Sequence, residues 1–314
     1  MRLRDKIKWR IDFLIKEGRN RNFKIIFCSI LPSILKEAYL EKISRNVLLF
    51  LEKKGLIKIE YQSLKNKDLL IDFSSLKIVC NNKIPYLGLM QLFFDLVYPY
   101  LPKDKYLEVE DGTKNYKIFF EHFASEGSYE KEGVFLETGD CVIDAGAHLG
   151  IFSIIAAKKV GKQGKVYAFE PIKEITSLLN RSIAINDSRN IEVIPYALGE
   201  KNHKIAFSIC KTDLGRSSAY FNYNGGVEDV YQITLDKFVK DNNVSRVNFI
   251  KVDIEGMERN LLIGAEQTIK RFKPKIAICI YHRPDDSEVI EKMIKSFVSE
   301  YNIVKTNKKL YAWV

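Results

Sequence analysis

Long apolar runs are missing from this chain. The longest stretch free of Asp, Glu, Lys and Arg is Ala145 to Ala157, thirteen residues. A membrane-spanning helix needs roughly 18 or more consecutive apolar residues, so no transmembrane segment is expected. Cysteine is sparse and unpatterned: Cys28, Cys80, Cys141, Cys210 and Cys279 are odd in number, and no two stand at CxxC spacing. Neither a zinc site nor a disulfide framework is signalled, and the compartment expected is a reducing one. No secretory leader is expected either. Ile25 to Leu31 is apolar, but the basic stretch before it is too long, Pro32 and Lys36 follow closely, and no small-residue cleavage pattern appears. Internal repeats and low-complexity segments are also absent. These absences give a cytoplasmic protein as the expectation.

What is present is enough chain for a sizeable core. The 314 residues are 46% apolar and 29% charged, which suits one large domain or two ordinary ones and excludes a wholly disordered chain. The net charge of +10 is unevenly spread. Residues 1–105 carry 21 Lys and Arg against 11 Asp and Glu, while residues 106–314 carry 29 of each. The basic surplus therefore lies in the first third. A region of that kind meets an anionic membrane surface, an acidic substrate or nucleic acid, or serves as a solvated face. Leu101 to Lys105 is the boundary expected between a basic, mainly helical region at 1–104 and a second domain at 105–314. Within the first, Leu3, Ile7, Ile11, Leu14 and Ile15 recur at helical spacing. Residues 56–61 and 69–80 read as strands, Leu87 to Tyr98 as a buried helix, and Tyr106 to Phe119 as a hairpin turning at Asp111-Gly112.

From Gly139 the pattern becomes regular. Strands are expected at Cys141 to Asp144, Lys165 to Glu170, Ile191 to Leu198, Asn248 to Asp253 and Lys275 to Tyr281. Helices are expected at Ile151 to Val160, Ile172 to Asn186, Met257 to Phe272 and Asp286 to Glu300. Tyr301 to Lys305 and Leu310 to Val314 can close the sheet. Alternation of this kind means βαβ units: an α/β fold with a mostly parallel sheet covered by helices on both faces. Residues 203–235 break the rhythm and read as an insertion over the active face. Asp236, just before a helix, reads as its cap.

In such a sheet, ligands bind at the C-terminal strand ends near the topological switch point. The first strand runs into Asp144-Ala145-Gly146-Ala147-His148-Leu149-Gly150. Gly146 suits a tight turn that brings backbone N–H groups to a ligand, and Gly150 a close helix start. The second strand ends in Glu170, twenty-four residues after Gly146, where a carboxylate can grip two ribose hydroxyls. A dinucleotide enzyme would show G-x-G-x-x-G, and here the loop is G-x-x-x-G beside the carboxylate of Asp144. An acid there repels a pyrophosphate and attracts an ammonium group. The ligand wanted has a ribose and a cation but no phosphate, and S-adenosylmethionine (SAM) fits.

Several phrases occur in order: Val142-Ile143-Asp144-Ala145-Gly146-Ala147-His148-Leu149-Gly150, Ala168-Phe169-Glu170-Pro171, Pro195-Tyr196-Ala197-Leu198-Gly199, Ile233-Thr234-Leu235-Asp236 and Ile250-Lys251-Val252-Asp253-Ile254-Glu255-Gly256-Met257-Glu258. Over about residues 126–290 the chain resembles the FkbM family of SAM-dependent methyltransferases. The resemblance implies the Rossmann-like, seven-stranded class I methyltransferase fold. It also implies methyl transfer, usually to a hydroxyl of a sugar, glycan or other natural product. The cofactor contacts expected are Asp144, Gly146, Ala147, Gly150, Glu170, Pro171 and Ala197. The family often has Asn where His148 stands, and a Glu where this chain has Ile280.

Methyl transfer to a hydroxyl needs alignment and a place for the proton. Asp253 and Glu255 stand at the end of the fourth strand, with Glu258 a turn later, and His282 ends the fifth. Asp253, Glu255 and His282 are the catalytic candidates. His282 is read as a general base at its ordinary pKa of about 6.5. Asp253 can act as base, orient the acceptor or hold a divalent cation, and a metal-free route is expected, since two acids and one His make no recognised metal motif. Tyr129-Glu130 can cover the cofactor. RNA methylation is the competing enzymatic reading, and a non-catalytic SAM-binding protein the competing non-enzymatic one. Against RNA stands the lack of a recognisable RNA-binding motif in residues 1–105.

Overall fold

The expected alternation of strands and helices assembles into one seven-stranded sheet. The computed structural model describes residues 58–63, 68–72, 77–80, 106–110, 115–119, 128–211 and 214–314. The helices expected within residues 1–54 and 87–98, the basic stripe and the boundary at 101–105 lie outside the described residues. In chain order, β1 (Lys58–Ser63), β2 (Asp68–Asp72) and β3 (Lys77–Cys80) form an antiparallel sheet, and β4 (Tyr106–Glu110) and β5 (Asn115–Phe119) the expected hairpin.

The large sheet uses β6 (Cys141–Ala145), β7 (Lys165–Phe169), β8 (Ile191–Ile194), β12 (Phe249–Val252), β13 (Lys275–Cys279), β14 (Asn302–Lys305) and β15 (Lys309–Trp313). Its order is β14-β15-β13-β12-β6-β7-β8. The run from β13 to β8 is parallel, and β15 is antiparallel to both of its neighbours. This is the class I methyltransferase arrangement. Every residue of β6 and β12 is buried, as strands covered on both faces require. The connections are α1 (Ile151–Val160), α2 (Lys173–Ile185), α3 (Leu235–Asp241), α4 (Glu258–Ile263), α5 (Glu266–Phe272) and α6 (Asp286–Phe297). Helix α2 buries Ile175, Leu178, Leu179 and Ser182, the one-sided spacing of an amphipathic helix on a sheet.

Two boundaries and one helix cap differ from the sequence expectation, each for a local reason. The strand expected over Ile191 to Leu198 stops at Ile194, because Pro195 has no N–H to give the ladder. Ala197 and Leu198 form β9 instead, parallel to Gln232 and Ile233 of β11 (Val227–Ile233). With β10 (His203–Ser208), antiparallel to β11, this makes a separate three-stranded sheet from the expected insertion.

The helix expected over Met257 to Phe272 is two helices, α4 and α5, parted at Gly264. Here the chain presses against another backbone: a Cβ on Gly264 would lie 2.0 Å from the Gly199 oxygen, and the Gly264 carbonyl accepts the Asp236 N–H. Asp236 does not cap its own helix. Thr234 does, accepting the Lys237 N–H, while the Asp236 carboxylate accepts the N–H groups of Gln267 and Thr268 and so caps α5.

Gly264→Ala should therefore destabilise the protein by about 1–3 kcal/mol, the cost of overpacking at a tight contact. Urea unfolding measures it, and an unchanged midpoint would show that the helices can part without cost.

Candidate active site

The sheet reverses its winding between β6 and β12, and the C-terminal ends of these strands frame the site. Lys251 of β12 stands opposite Asp144 of β6 in the strand register. Both are buried, and their ammonium and carboxylate lie 3.1 Å apart. Lys251 also donates to the carbonyls of Ala145 (3.2 Å) and Gly146 (2.6 Å), so one carboxylate and two carbonyls surround its charge. Burial opposes its charge, but Asp144 and Asp253 outweigh that and raise its pKa. Ser153 on α1 donates to the other Asp144 oxygen at 2.5 Å. Asp144 is thus committed to the protein interior. The open carboxylate expected for a ligand's ammonium group is not offered here.

The glycine loop also differs in its donors. The N–H groups of Gly146 and Ala147 both point at the Phe169 carbonyl, and that of Gly150 at Ala147. They tie the loop to β7 rather than face a ligand. What Gly146 supplies is closeness: its φ is +75°, and a Cβ there would fall 1.9 Å from the Asp253 carbonyl oxygen. The His148 N–H donates to one Glu170 oxygen and the Ile172 N–H to the other, each at 3.0 Å. Glu170 is therefore fixed in position at the end of β7. Burial raises its pKa, the two backbone N–H groups partly oppose this, and the result is about 7. His148 is held neutral, with burial and Lys251 lowering its pKa to about 4, and its Nε2 is buried without a hydrogen-bond partner.

A second station forms at the ends of β12 and β13. The Tyr129 hydroxyl donates to Asp253 Oδ2 at 2.7 Å. His282 sits among three carboxylates, with Nδ1 2.9 Å from Glu258 Oε1 and Nε2 3.6 Å from Glu255 Oε2 and 3.8 Å from Asp253 Oδ1. Burial alone would lower the pKa of the ring, but Glu258, aided by Asp253 and Glu255, holds it at about 9. At neutral pH the ring is therefore an imidazolium with no free lone pair, which corrects the reading of His282 as a base near pH 6.5. Asp253 remains ionised: burial raises its pKa, but Lys251, His282, Tyr129 and Lys309 more than reverse that.

The insertion roofs this station. Ser218 donates to the Glu255 carbonyl at 2.6 Å, the Tyr220 ring lies against Gly256, and the Arg283 guanidinium stacks 3.9 Å over Tyr220. Phe221 faces the His282 ring at 6.5 Å.

The sequence model of the methyltransferase FkbM domain matches residues 144–302, just over half the chain, and so includes every strand end described above. The chain belongs to this family. Methyltransferase sdnD of Sordaria araneosa is 26% identical over 165 residues, covering 42% of this chain and 62% of that protein. Hexuronic acid methyltransferase AglP of Haloferax volcanii is 24% identical over 174 residues, covering 55% of this chain and 68% of its own. A solved FkbM methyltransferase from Methylobacillus flagellatus is 25% identical, with a TM-score of 0.44, over 59% of this chain and 46% of that one. The matches thus span 62% of the Sordaria relative's length and 58% of that of Methyltransferase 1 from Beauveria bassiana.

Within this FkbM domain the expected site residues fall into groups. Glu170, Gly146, Ala147 and Gly150 form the first station, with Pro171 directly after Glu170. Asp253, Glu255 and His282 form the second. Ala197 heads β9, which follows β8 in the chain and belongs to the separate three-stranded sheet. The Glu130 carboxylate accepts the Leu136 N–H and pairs with Lys159. Sequence reasoning missed Lys251, Glu258 as a partner of His282, and the bond from Tyr129 to Asp253. The first had a readable signal, a lone lysine inside the apolar strand Phe249-Ile250-Lys251-Val252.

Lys251→Met should leave Asp144 buried and uncompensated, at a cost of about 3–5 kcal/mol. Adding Asp144→Asn should restore much of that loss. Urea unfolding of both variants checks it, and equal midpoints would deny the coupling.

Proposed function

We propose that this protein transfers the methyl group of SAM to a hydroxyl of a sugar, glycan or other small molecule. The observation that carries the reading is the presence of two stations at the C-terminal ends of the parallel strands that flank β6: a carboxylate gripped by two backbone N–H groups after β7, and an acid–tyrosine pair after β12. The residues suit SAM. Each Glu170 oxygen accepts one backbone N–H and keeps acceptor capacity for one hydroxyl of a ribose diol. The Gly146 cradle has no room for a side chain, and the buried Nε2 of His148 offers a further polar contact. A relative named as a hexuronic acid methyltransferase supports a sugar acceptor.

SAM, when bound, supplies an activated methyl carbon, which an oxygen takes by in-line displacement. The protein aligns that oxygen and receives its proton. The Asp253 side chain is 21% exposed at the end of β12. Tyr129 holds Oδ2 in place, and Oδ2 accepts the hydroxyl proton as the new C–O bond forms. Imidazolium His282 balances the acids behind it. Labelled SAM incubated with a metabolite and glycan extract tests the reading directly: a labelled product is expected, and binding without turnover would reduce the protein to a SAM-binding one.

Glu170→Ala should weaken SAM binding about 10–100-fold, or roughly 1.5–3 kcal/mol for hydrogen bonds to a charged group. The wild type should also bind SAM more weakly as pH falls through about 7, because ribose hydroxyls favour the ionised Glu170 and its protonated form must first lose a proton. Calorimetry between pH 6 and 8.5 reads the slope, which should vanish in Glu170→Ala.

Asp253→Asn should bind SAM nearly as the wild type does but lose methyl transfer by about 10²–10⁴-fold. Tyr129→Phe should lose less, since it removes the positioning bond and not the base. Wild-type turnover in Asp253→Asn would place the proton acceptor elsewhere.

A further inference from the structure

We infer that Asp253, Glu255 and His282 form a site for one divalent cation, with Glu258 fixing the ring from behind. The distances point to this. His282 Nε2 is 3.6 Å from Glu255 Oε2 and 3.8 Å from Asp253 Oδ1. Those gaps are too long for hydrogen bonds and too short to hold a water molecule between the atoms. Two ligands each about 2.0–2.2 Å from one ion, at bond angles of 90–120°, stand about 3.0–3.8 Å apart.

Polar atoms of His282, Asp253 and Glu258 are also left buried without other work. The His282 side chain is 5% exposed, and its Nε2 makes no hydrogen bond. Asp253 Oδ1 and Glu258 Oε2 are likewise buried without partners, and the ligand atoms of Asp253, Glu258 and His282 lie within 4.8 Å of one another. Their companion oxygens, by contrast, are anchored. Asp253 Oδ2 accepts from Tyr129, and Glu258 Oε1 accepts the N–H groups of Ile254 (3.0 Å) and Gly256 (3.4 Å).

Glu258 Oε1 stands 2.9 Å from Nδ1, behind the ring, while Nε2 faces Asp253 and Glu255, and a cation bound at Nε2 takes the place of the proton that this nitrogen carries in the metal-free site. A carboxylate behind a histidine whose other nitrogen faces acids is the usual support of a metal-binding imidazole. Glu255 is 24% exposed, so the cation has an open side toward the cleft for water or an acceptor oxygen. Two carboxylates with one imidazole suit a hard-to-borderline ion, and Mn²⁺ is the probe of choice. The site shares the cleft of the proposed methyl transfer, but its test needs neither SAM nor acceptor, so either reading can fail while the other stands.

The experiment titrates chelator-treated full-length protein with MnCl₂, following free Mn²⁺ by electron paramagnetic resonance. One ion per chain is expected, with affinity at least tenfold lower in Asp253→Asn and in His282→Ala, and about 10–100-fold lower in Glu258→Gln. Melting curves of each variant check folding. On the wild type alone, electron spin-echo modulation of the bound Mn²⁺ should show coupling to one imidazole nitrogen, so the proposal does not depend on a variant that fails to fold. No bound Mn²⁺ at millimolar concentration, bound Mn²⁺ without nitrogen coupling, or undiminished affinity in a folded His282→Ala would each overturn the site.

Discussion

An ammonium group buried in a sheet must have every N–H satisfied, and the way Lys251 meets that demand shapes the rest of the edge. Lys251 pairs with the Asp144 carboxylate and donates to the carbonyls of Ala145 and Gly146, all from the end of β6 and the turn after it. One side chain of β12 thereby fixes the direction in which the β6 chain leaves the sheet. The second Asp144 oxygen carries the constraint on to α1 through Ser153. Strand, turn and helix on one side of the switch point are all referred to a charge on the other side. A generic apolar residue at position 251 would fill the volume and hold none of these directions.

The consequence for recognition follows from how the turn spends its hydrogen bonds. The N–H groups of Gly146, Ala147, His148 and Gly150 all go to protein acceptors. The turn meets a ligand by proximity and shape, and the directional contact is delegated to Glu170, which two of the neighbouring N–H groups hold still. A carboxylate fixed in this way loses little side-chain freedom when it binds a diol, which favours affinity. Its cost is electrostatic: burial keeps the Glu170 pKa near neutrality, so its charge is only partly established before a ligand arrives.

The strands and helices after Cys141 are legible in the sequence because periodicity and apolar runs are local properties. Cys141 to Ala145 and Ile151 to Val160 need no knowledge of their neighbours to be read. The breaks at Pro195 and Gly264 are half legible. Both residue types announce a possible break, but only contact with Gly199 makes Gly264 end a helix. In the site, Glu170, Asp253 and His282 can be found because strand ends can be found. Asp144 shows the limit. Its position is readable and its occupation is not, since the partner that takes its charge lies 107 residues away and appears only with the β6–β12 register. Tyr129 is hidden for the same reason, 124 residues from Asp253.

Among the described residues six with a Cβ have positive φ, and two of them stand where the chemistry does. His148 and Glu255 have φ of +50° and +52°, a region that residues with a Cβ occupy only at some energetic cost. His148 lies in the turn after β6, and Glu255 in the turn after β12. Each is bounded by the bonds just described: the His148 N–H is committed to Glu170, and the Glu255 carbonyl accepts from Ser218 of the insertion. Gly256 follows Glu255 with φ of +98°, and Glu258 closes that turn from the first position of α4 by accepting two of its N–H groups. A looser turn would relieve the strain and would also let Glu255 and Glu258 swing away from His282. The cost is held in place by hydrogen bonds that have no other evident use, and that connects the two strained turns to the reaction edge rather than to the stability of the sheet.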